Sequence, residues 1–101
     1  MTNPENPLGL RGIEFIEYAS TAPEQLESLF RELGFSRLHR HTRQAVDVWS
    51  QNDIRFLINR EPGSFAESFL KQHGPCVNAM GWRVDDAKRA FEEAVRRGAR
   101  P

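Results

Sequence analysis

The sequence predicts an α+β fold with a curved, mostly antiparallel sheet, built from one complete β-α-β-β-β unit and the first strand and helix of a second. Two observations predict it. A strand-then-helix pattern at residues 12–34 recurs about 64 positions later, at residues 77–98, and such an internal repeat indicates paired structural units. Between the two copies, residues 35–59 contain three short segments in which apolar and polar residues alternate with the period of a strand. We expect the helices to lie on one side of this sheet.

The first unit opens with a strand over residues 12–20, followed by a helix. Thr21 and Glu24 have the spacing of a capping box, and Pro23 fits the first helical turn, where its missing N–H costs nothing. Gly34 should end the helix, because glycine readily adopts the positive φ of the residue that follows a helix. The apolar stripe of this helix consists of Leu26, Leu29, Phe30 and Leu33.

Three strands complete the first unit, at residues 35–42, 45–50 and 54–59. Their β-branched and aromatic residues recur with a period of two, which is typical of strands. The connections at residues 43–44 and 51–53 have the length of hairpin loops. The sequence therefore predicts two consecutive hairpins.

A bridging helix and the incomplete second unit follow. Ser64 and Glu67 form a second capping box, and this helix should end at Gly74, before a proline that cannot continue it. The second unit then begins with a strand at residues 77–84 and a helix at residues 85–97. The side chains predicted to face inward from the bridging helix are Phe65, Phe69 and Leu70.

The predicted organisation has four segments. They are a flexible tail at residues 1–8, the first unit at residues 9–63, the bridging helix at residues 64–75 and the incomplete second unit at residues 76–101. Three strands follow the first helix, whereas none follows the second before the sequence stops. The sheet should therefore expose apolar strand surface or an open edge, which invites pairing with another chain.

Composition narrows the possible classes of protein. The 14 basic residues balance the 14 acidic residues, so the net charge predicts neither a nucleic-acid partner nor a membrane-surface partner. No apolar run approaches the roughly 18 residues that span a bilayer, and the first residues lack the pattern of a signal peptide. The single cysteine, Cys76, cannot form an internal disulfide, which favours the reducing cytoplasm. We predict that its thiol is buried and structural.

Paired β-α-β-β-β units are similar to the vicinal oxygen chelate (glyoxalase/bleomycin-resistance-like) superfamily. Residues 6–19, 33–35, 59–62 and 73–75 resemble, more specifically, the amino-terminal domain of bacterial 4-hydroxyphenylpyruvate dioxygenase. The resemblance implies a non-catalytic domain in a homo-oligomer. It also implies that a missing carboxy-terminal domain holds Fe(II) and converts 4-hydroxyphenylpyruvate to homogentisate in tyrosine catabolism. This chain alone should then be inactive and hold no cofactor.

The resemblance also bears on whether this chain has a metal site of its own. The superfamily places a metal-binding histidine early in the first strand of each unit, and the corresponding residues here are Phe15 and Ala79. Neither a phenyl ring nor a methyl group can bind iron, which needs imidazole or carboxylate ligands. We therefore expect no catalytic residue and no metal ligand at these positions.

His39 and His41 are the remaining candidates for metal ligands. Residues i and i+2 of a strand share a face, and Glu14 or Glu17 could supply an oxygen ligand. A histidine pair without a fixed third ligand is a poor site, however, and two polar residues on the solvent face are the favoured interpretation. Glu14 and Glu17 are three residues apart on one strand, so they should face opposite sides and not act as an acid–base pair.

Two other groups of residues receive a structural interpretation. Trp49 and Trp82 could line a pocket, but aromatic residues on the inner face of a sheet are expected to be core. Four arginines around the last helix could bind nucleic acid. Without net positive charge or an aromatic platform, they are expected to be a solvated helix face. These arginines are Arg89, Arg96, Arg97 and Arg100.

Two alternative functions stay open. The chain could be a stand-alone binding module of the same fold that completes its barrel by dimerisation. It could also be the same domain from 4-hydroxymandelate synthase, or from a fusion with dehydroshikimate dehydratase. The resemblance does not separate these, because the residues that select the substrate lie mainly in the other domain.

Overall fold

The computed structural model describes residues 4–101, and in these residues it contains five strands and three helices. Their order is the predicted β-α-β-β-β, followed by a helix, a strand and a helix. The elements are β1 (Leu10–Ala19), α1 (Pro23–Glu32), β2 (Ser36–Arg40), β3 (Val46–Gln51), β4 (Ile54–Asn59), α2 (Phe65–His73), β5 (Cys76–Val84) and α3 (Ala87–Arg96).

The five strands form one mixed sheet in the order β2-β3-β4-β1-β5. β3 pairs antiparallel with both β2 and β4, as short hairpin loops require. β1 pairs parallel with β4, and Tyr18 lies opposite Ile58. This parallel pairing is possible because α1 and two strands separate β1 from β4 in sequence and provide the crossover. The predicted α+β class and the two predicted hairpins are confirmed.

The chain divides into two compact units. One comprises residues 14–81, and the other comprises the remaining described residues, 4–13 and 82–101. β1 and β5 each contribute residues to both units. Within the segment predicted as a tail, residues 1–3 lie outside the described residues. Asn6 exchanges two hydrogen bonds of 2.9 Å with the backbone of Leu10, and this turn leads into β1.

The core of the 14–81 unit lies between α1 and the face of the sheet that carries Trp49 and Ile58. Both residues are buried, together with Phe30 of α1 and Phe35. Aromatic rings fill most of this space, and the rings of Phe35 and Phe56 stack with their centroids 4.5 Å apart. Burial of these large apolar side chains is the main source of stability for the unit.

The start of α1 differs from the prediction. Its N-cap is Ala22, and no side chain caps it. The Thr21–Glu24 capping box is therefore wrong, because the helix begins one residue later than that spacing requires. Pro23 does occupy the first turn, as predicted. Ser20 organises the entry instead, since its Oγ accepts a hydrogen bond of 3.0 Å from the Ala22 N–H.

The end of α1 agrees with the prediction. Gly34 has a φ of +96°, and its N–H donates to the carbonyl of Arg31 at 3.0 Å. The N–H of Phe35 donates to the carbonyl of Phe30 at 2.8 Å, and the two rings are in contact. This is a Schellman motif with its hydrophobic contact. Gly98 follows α3 with a φ of +109°, so the repeat extends to the way both helices end.

Helix α2 is capped as predicted but buries a different side chain. The Ser64 Oγ accepts a hydrogen bond of 3.2 Å from the Glu67 N–H. The prediction that Phe65 faces inward is wrong, because its side chain is 66% exposed, whereas Ala66 is buried. Ala66, Phe69 and Leu70 are spaced i, i+3 and i+4, so they form the inward side of the helix, and Phe65 lies outside that stripe.

The prediction that both tryptophans belong to the core is confirmed for Trp49 and wrong for Trp82. Trp49 is 0% exposed and Trp82 is 57% exposed. Ile13, Val77 and Met80, on β1 and β5, are also exposed, and β5 stands at one end of the described sheet. Each unit therefore exposes apolar strand side chains, as expected: Ile13 and Trp82 in one unit, and Val77 and Met80 in the other.

Candidate functional site

Phe15, which the resemblance predicts to correspond to a metal ligand of the superfamily, packs its ring against β5. Phe15 is half-buried in β1, and a Cβ built on Gly81 of β5 would overlap three of its ring carbons. The ring therefore lies directly against the Gly81 backbone, and only glycine leaves room for it. Ala79, the predicted counterpart in the second copy, is half-buried on β5. Neither side chain offers a lone pair to a metal.

A polar pair lies beside Phe15. The Nδ2 of Asn78 donates a hydrogen bond of 2.6 Å to the Oε2 of Glu17, and the Oδ1 of Asn78 is buried without a partner. Glu17 shares its face of β1 with Phe15, because side chains alternate along a strand. Glu17 is half-buried and Glu14 is exposed, so the two carboxylates lie in different environments. The pair links β1 to β5 through side chains.

The two candidate histidines have different environments. His41 lies beyond the end of β2, where its Nδ1 accepts hydrogen bonds of 3.1 Å from the N–H groups of Arg43 and Gln44. His39 is exposed on the strand itself. Within residues 4–101, no three His, Cys, Asp or Glu side chains are grouped so that they could hold a metal ion. His41 therefore acts as a cap for the β2–β3 turn.

A buried cluster around Asp47 has no counterpart among the sequence predictions. Asp47 is 0% exposed. Arg40 donates to its Oδ1 at 2.6 Å and its Oδ2 at 3.1 Å, and Arg60 donates to its Oδ2 at 3.0 Å. The hydrogen bond from Arg40 lowers the pKa of Asp47, with help from the charges of Arg60 and Arg37, while burial acts in the opposite direction. An ionised Asp47 thus joins β2, β3 and the end of β4.

The alternation in β3 hides this cluster. Val46 and Val48 alternate with Asp47 and Trp49, so the pattern alone does not say which pair faces the core. In the structure, the face with Asp47 and Trp49 is the one covered by α1. The signal that could have identified the cluster is the hairpin register, which places Arg40 directly opposite Asp47.

A cavity of about 310 Å³ lies next to the end of β1 and the start of β5. Its walls include Tyr18, Leu26, Pro75 and Cys76. Burial raises the pKa of Tyr18, so its hydroxyl stays protonated at neutral pH. Cys76 is half-buried, and the prediction of a buried thiol is therefore correct only in part.

Two surface features concern possible partners. Arg96 and Arg97 both donate to Glu93, at 2.5 Å and 2.7 Å, and these contacts lower the pKa of Glu93 to about 2. Glu93 thus neutralises part of the arginine patch at the end of α3, which supports its interpretation as a solvated helix face. None of the helices in the described part of the chain is long and apolar enough to cross a membrane.

Replacing Gly81 with alanine is expected to destabilise the protein by about 1–3 kcal/mol, the usual cost of overpacking. The new Cβ would meet the Phe15 ring, which would have to move. Phe15→Leu removes the ring, so Gly81→Ala should cost much less in that background. Urea unfolding followed by circular dichroism measures all four proteins of this cycle. Strict additivity of the two single changes would contradict the contact.

Comparison with known proteins identifies the family. The family described as "Hydroxyphenylpyruvate dioxygenase, HPPD, N-terminal" matches residues 4–101. Protein MelA of Shewanella colwelliana is 48% identical over 101 residues, which cover 100% of this chain and 29% of MelA. A 4-hydroxyphenylpyruvate dioxygenase of Pseudomonas sp. (strain P.J. 874) is 42% identical over 97 residues, which cover 96% of this chain and 27% of that protein. A 3-dehydroshikimate dehydratase of Pseudomonas aeruginosa is 39% identical over 92 residues, which cover 89% of this chain and 14% of that protein.

Solved structures confirm the vicinal oxygen chelate fold. A xylose isomerase-like TIM barrel/4-hydroxyphenylpyruvate dioxygenase fusion protein has a TM-score of 0.79 at 33% identity. The match covers 85% of this chain and 14% of the fusion protein. Methylmalonyl-CoA epimerase from Mycobacterium tuberculosis has a TM-score of 0.71 at 18% identity, and the match covers 91% of this chain and 67% of the epimerase. This similarity shows a shared fold only. The chain spans less than a third of the length of the curated relatives described above. Since the family match runs from residue 4 to residue 101, this chain belongs to the family of hydroxyphenylpyruvate dioxygenase amino-terminal domains.

Proposed function

We propose that this chain is the non-catalytic amino-terminal domain of a 4-hydroxyphenylpyruvate dioxygenase-type protein and that it supports a carboxy-terminal catalytic domain. The family match over residues 4–101 carries the proposal. In the whole protein, the catalytic domain would hold Fe(II) and convert 4-hydroxyphenylpyruvate to homogentisate in tyrosine catabolism. A cytoplasmic homo-oligomer completes the proposal, and the single cysteine is consistent with that compartment.

The environment of the ligand-equivalent positions supports a non-catalytic role. Phe15 packs against Gly81, and Ala79 carries only a methyl group. Glu17 is engaged with Asn78. These residues therefore supply packing and a cross-strand hydrogen bond where a catalytic member of the superfamily would supply metal ligands. The exposed apolar residues of β5 would then contact the rest of the protein.

The chain alone provides the first test. It is expected to bind no stoichiometric Fe(II) and to consume no O₂ with 4-hydroxyphenylpyruvate, because a phenyl ring and a methyl group cannot replace imidazole ligands. Metal analysis after dialysis and an oxygen electrode measure both quantities. Tight iron binding that is lost in His39→Ala, but kept in the control His73→Ala, would overturn the non-catalytic assignment.

A chimera provides the second test. This chain would replace the matching residues of the Pseudomonas sp. enzyme, to which it is 42% identical. The chimera is expected to form homogentisate, whereas the same enzyme with those residues deleted is expected to lose activity because its catalytic domain is unsupported. A chimera that folds and loads iron but has no activity would contradict the supporting role.

A second candidate function is the same domain attached to a 3-dehydroshikimate dehydratase. The dehydratase relative and the solved fusion protein support this candidate, because both contain a region similar to this chain, at 39% and 33% identity. The remainder of the open reading frame distinguishes the candidates. A TIM-barrel sequence in the same frame would favour the fusion, as would dehydratase activity of the full product.

A stand-alone module that pairs with a second copy is the remaining hypothesis. The exposed side chains of Val77, Met80 and Trp82 on β5 favour it, because an end strand with apolar residues can pair with another chain. A defined dimer in sedimentation equilibrium would support this hypothesis, and a monomer at high concentration would argue against it.

A further inference from the structure

Trp49 brings two arginines together on the α1 side of the sheet. Arg37 lies directly opposite Trp49 in the β2–β3 ladder, so both side chains project from the same face. The guanidinium carbon of Arg31, on α1, lies 5.0 Å from the centroid of the Trp49 ring. Arg31 and Arg37 are both exposed. Two exposed cationic side chains therefore lie next to one buried indole.

Asp47 brings two more arginines to the same face. Its carboxylate bonds to Arg40 and to Arg60, and the charge of Arg37 also reaches it. The second carboxylate that acts on this group is Glu27 of α1, whose charge reaches Arg40. The four arginines around Trp49 and Asp47 outnumber the two carboxylates, Asp47 and Glu27, that interact with Arg40, which favours an excess of positive charge.

Two buried N–H groups of the cluster have no acceptor. They are the Nε1 of Trp49 and the Nε of Arg60. Buried donors are nearly always satisfied by protein, by water or by a bound ion. An alternative role for the arginines of β2, which lies at one end of the sheet, is to prevent pairing with another chain. That role does not account for buried donors without acceptors. The excess positive charge on this face favours an anion, and arginine binds oxyanions through paired N–H groups.

We propose that Arg31 and Arg37, with Arg40 at the rim, form a binding site for a small oxyanion, either inorganic phosphate or a phosphate monoester. The exposed guanidinium groups of Arg31 and Arg37, which both lie next to Trp49, donate to the same anion. Arg40 adds positive charge while it remains bonded to Asp47. Because the site is at the surface, its affinity falls as salt concentration rises.

Nuclear magnetic resonance of the ¹⁵N-labelled chain tests the site. Phosphate, added at constant ionic strength, is expected to shift the indole N–H signal of Trp49 in a saturable way. The indole signal of Trp82, which is exposed and belongs to the other unit, should not move and serves as an internal control. Phenyl phosphate forms a second arm: equal affinity indicates recognition of the phosphate group alone, and tighter binding indicates a monoester.

Matched variants locate the site. Arg31→Gln and Arg37→Gln are each expected to weaken phosphate binding about tenfold, the value of one charge-assisted hydrogen bond. Arg55→Gln makes the same change of charge on the opposite face, since Arg55 pairs with Ser50 rather than with Trp49, and it should leave binding unchanged. The absence of a saturable shift at Trp49, or equal weakening in all three variants, would overturn the proposal.

Discussion

Replacing Trp49 with alanine is expected to lower the free energy of unfolding by about 3–5 kcal/mol, the usual cost of truncating a buried aromatic side chain. Trp49 is 0% exposed, and its ring packs edge-on against Phe30 with centroids 6.0 Å apart. The expected loss is a large share of the roughly 5–15 kcal/mol that stabilises a typical domain. Urea unfolding followed by circular dichroism measures it.

Trp82→Ala is the matched control, because it makes the same chemical change at a side chain that is 57% exposed. Surface substitutions usually change stability by no more than about 0.5 kcal/mol, so its transition midpoint should stay close to that of the unchanged chain. Similar losses in the two variants would contradict the difference in burial between the two tryptophans.

Replacing Asp47 with asparagine is expected to lower the free energy of unfolding by about 3 kcal/mol at neutral pH. This is the lower end of the range for breaking a buried ion pair, because Arg40 and Arg60 are partly exposed and can be hydrated when they lose their partner. Asparagine keeps the shape of the side chain, so the loss reports mainly on charge.

Asp85→Asn is the control. Its ion pair with Arg11 has a similar N–O distance, 2.8 Å, but lies at the surface, where such pairs contribute little.

The contribution of Asp47 should also depend on pH. The hydrogen bond from Arg40 lowers the pKa of Asp47 in the folded protein, below its unfolded value of about 3.9. The stabilisation is therefore fully present above the unfolded pKa and is lost as the pH falls through the folded pKa. The stability difference between the unchanged chain and Asp47→Asn should be constant from neutral pH to about pH 5 and shrink below about pH 4. A difference that grows on acidification would contradict the ion-pair assignment.

Local sequence signals predicted the elements well. The Schellman motif at Gly34 and the cap at Ser64 depend on hydrogen bonds between residues only a few positions apart. The two hairpins depend on loop length and on alternation within short segments. The capping box predicted at Thr21 is wrong, because the N-cap is Ala22, one residue later. The spacing of side chains alone does not determine the start of a helix to within one residue.

Burial was predicted less well than secondary structure. Trp49 and Trp82 have the same side chain and both lie on strands, yet one is buried and the other is exposed. Phe65 looked suitable for a core position but lies outside the buried stripe of α2. Asp47, whose burial was not predicted from the sequence, is buried because Arg40 of β2 and Arg60 after β4 pair with it. In each case the outcome depends on which elements cover a given face.

At the candidate site, too, some features follow from the sequence and others only from the tertiary structure. The residue types at Phe15 and Ala79 already argue against metal ligands there, because the missing lone pairs are a property of the side chains themselves. The sequence by itself thus determined the repeat, the family and the chemistry that these two positions lack. Only the tertiary structure decided that Gly81 makes room for the Phe15 ring and that four arginines meet around Trp49 and Asp47. Such contacts join residues from different elements, and the pairing of strands and the placement of α1 set their distances.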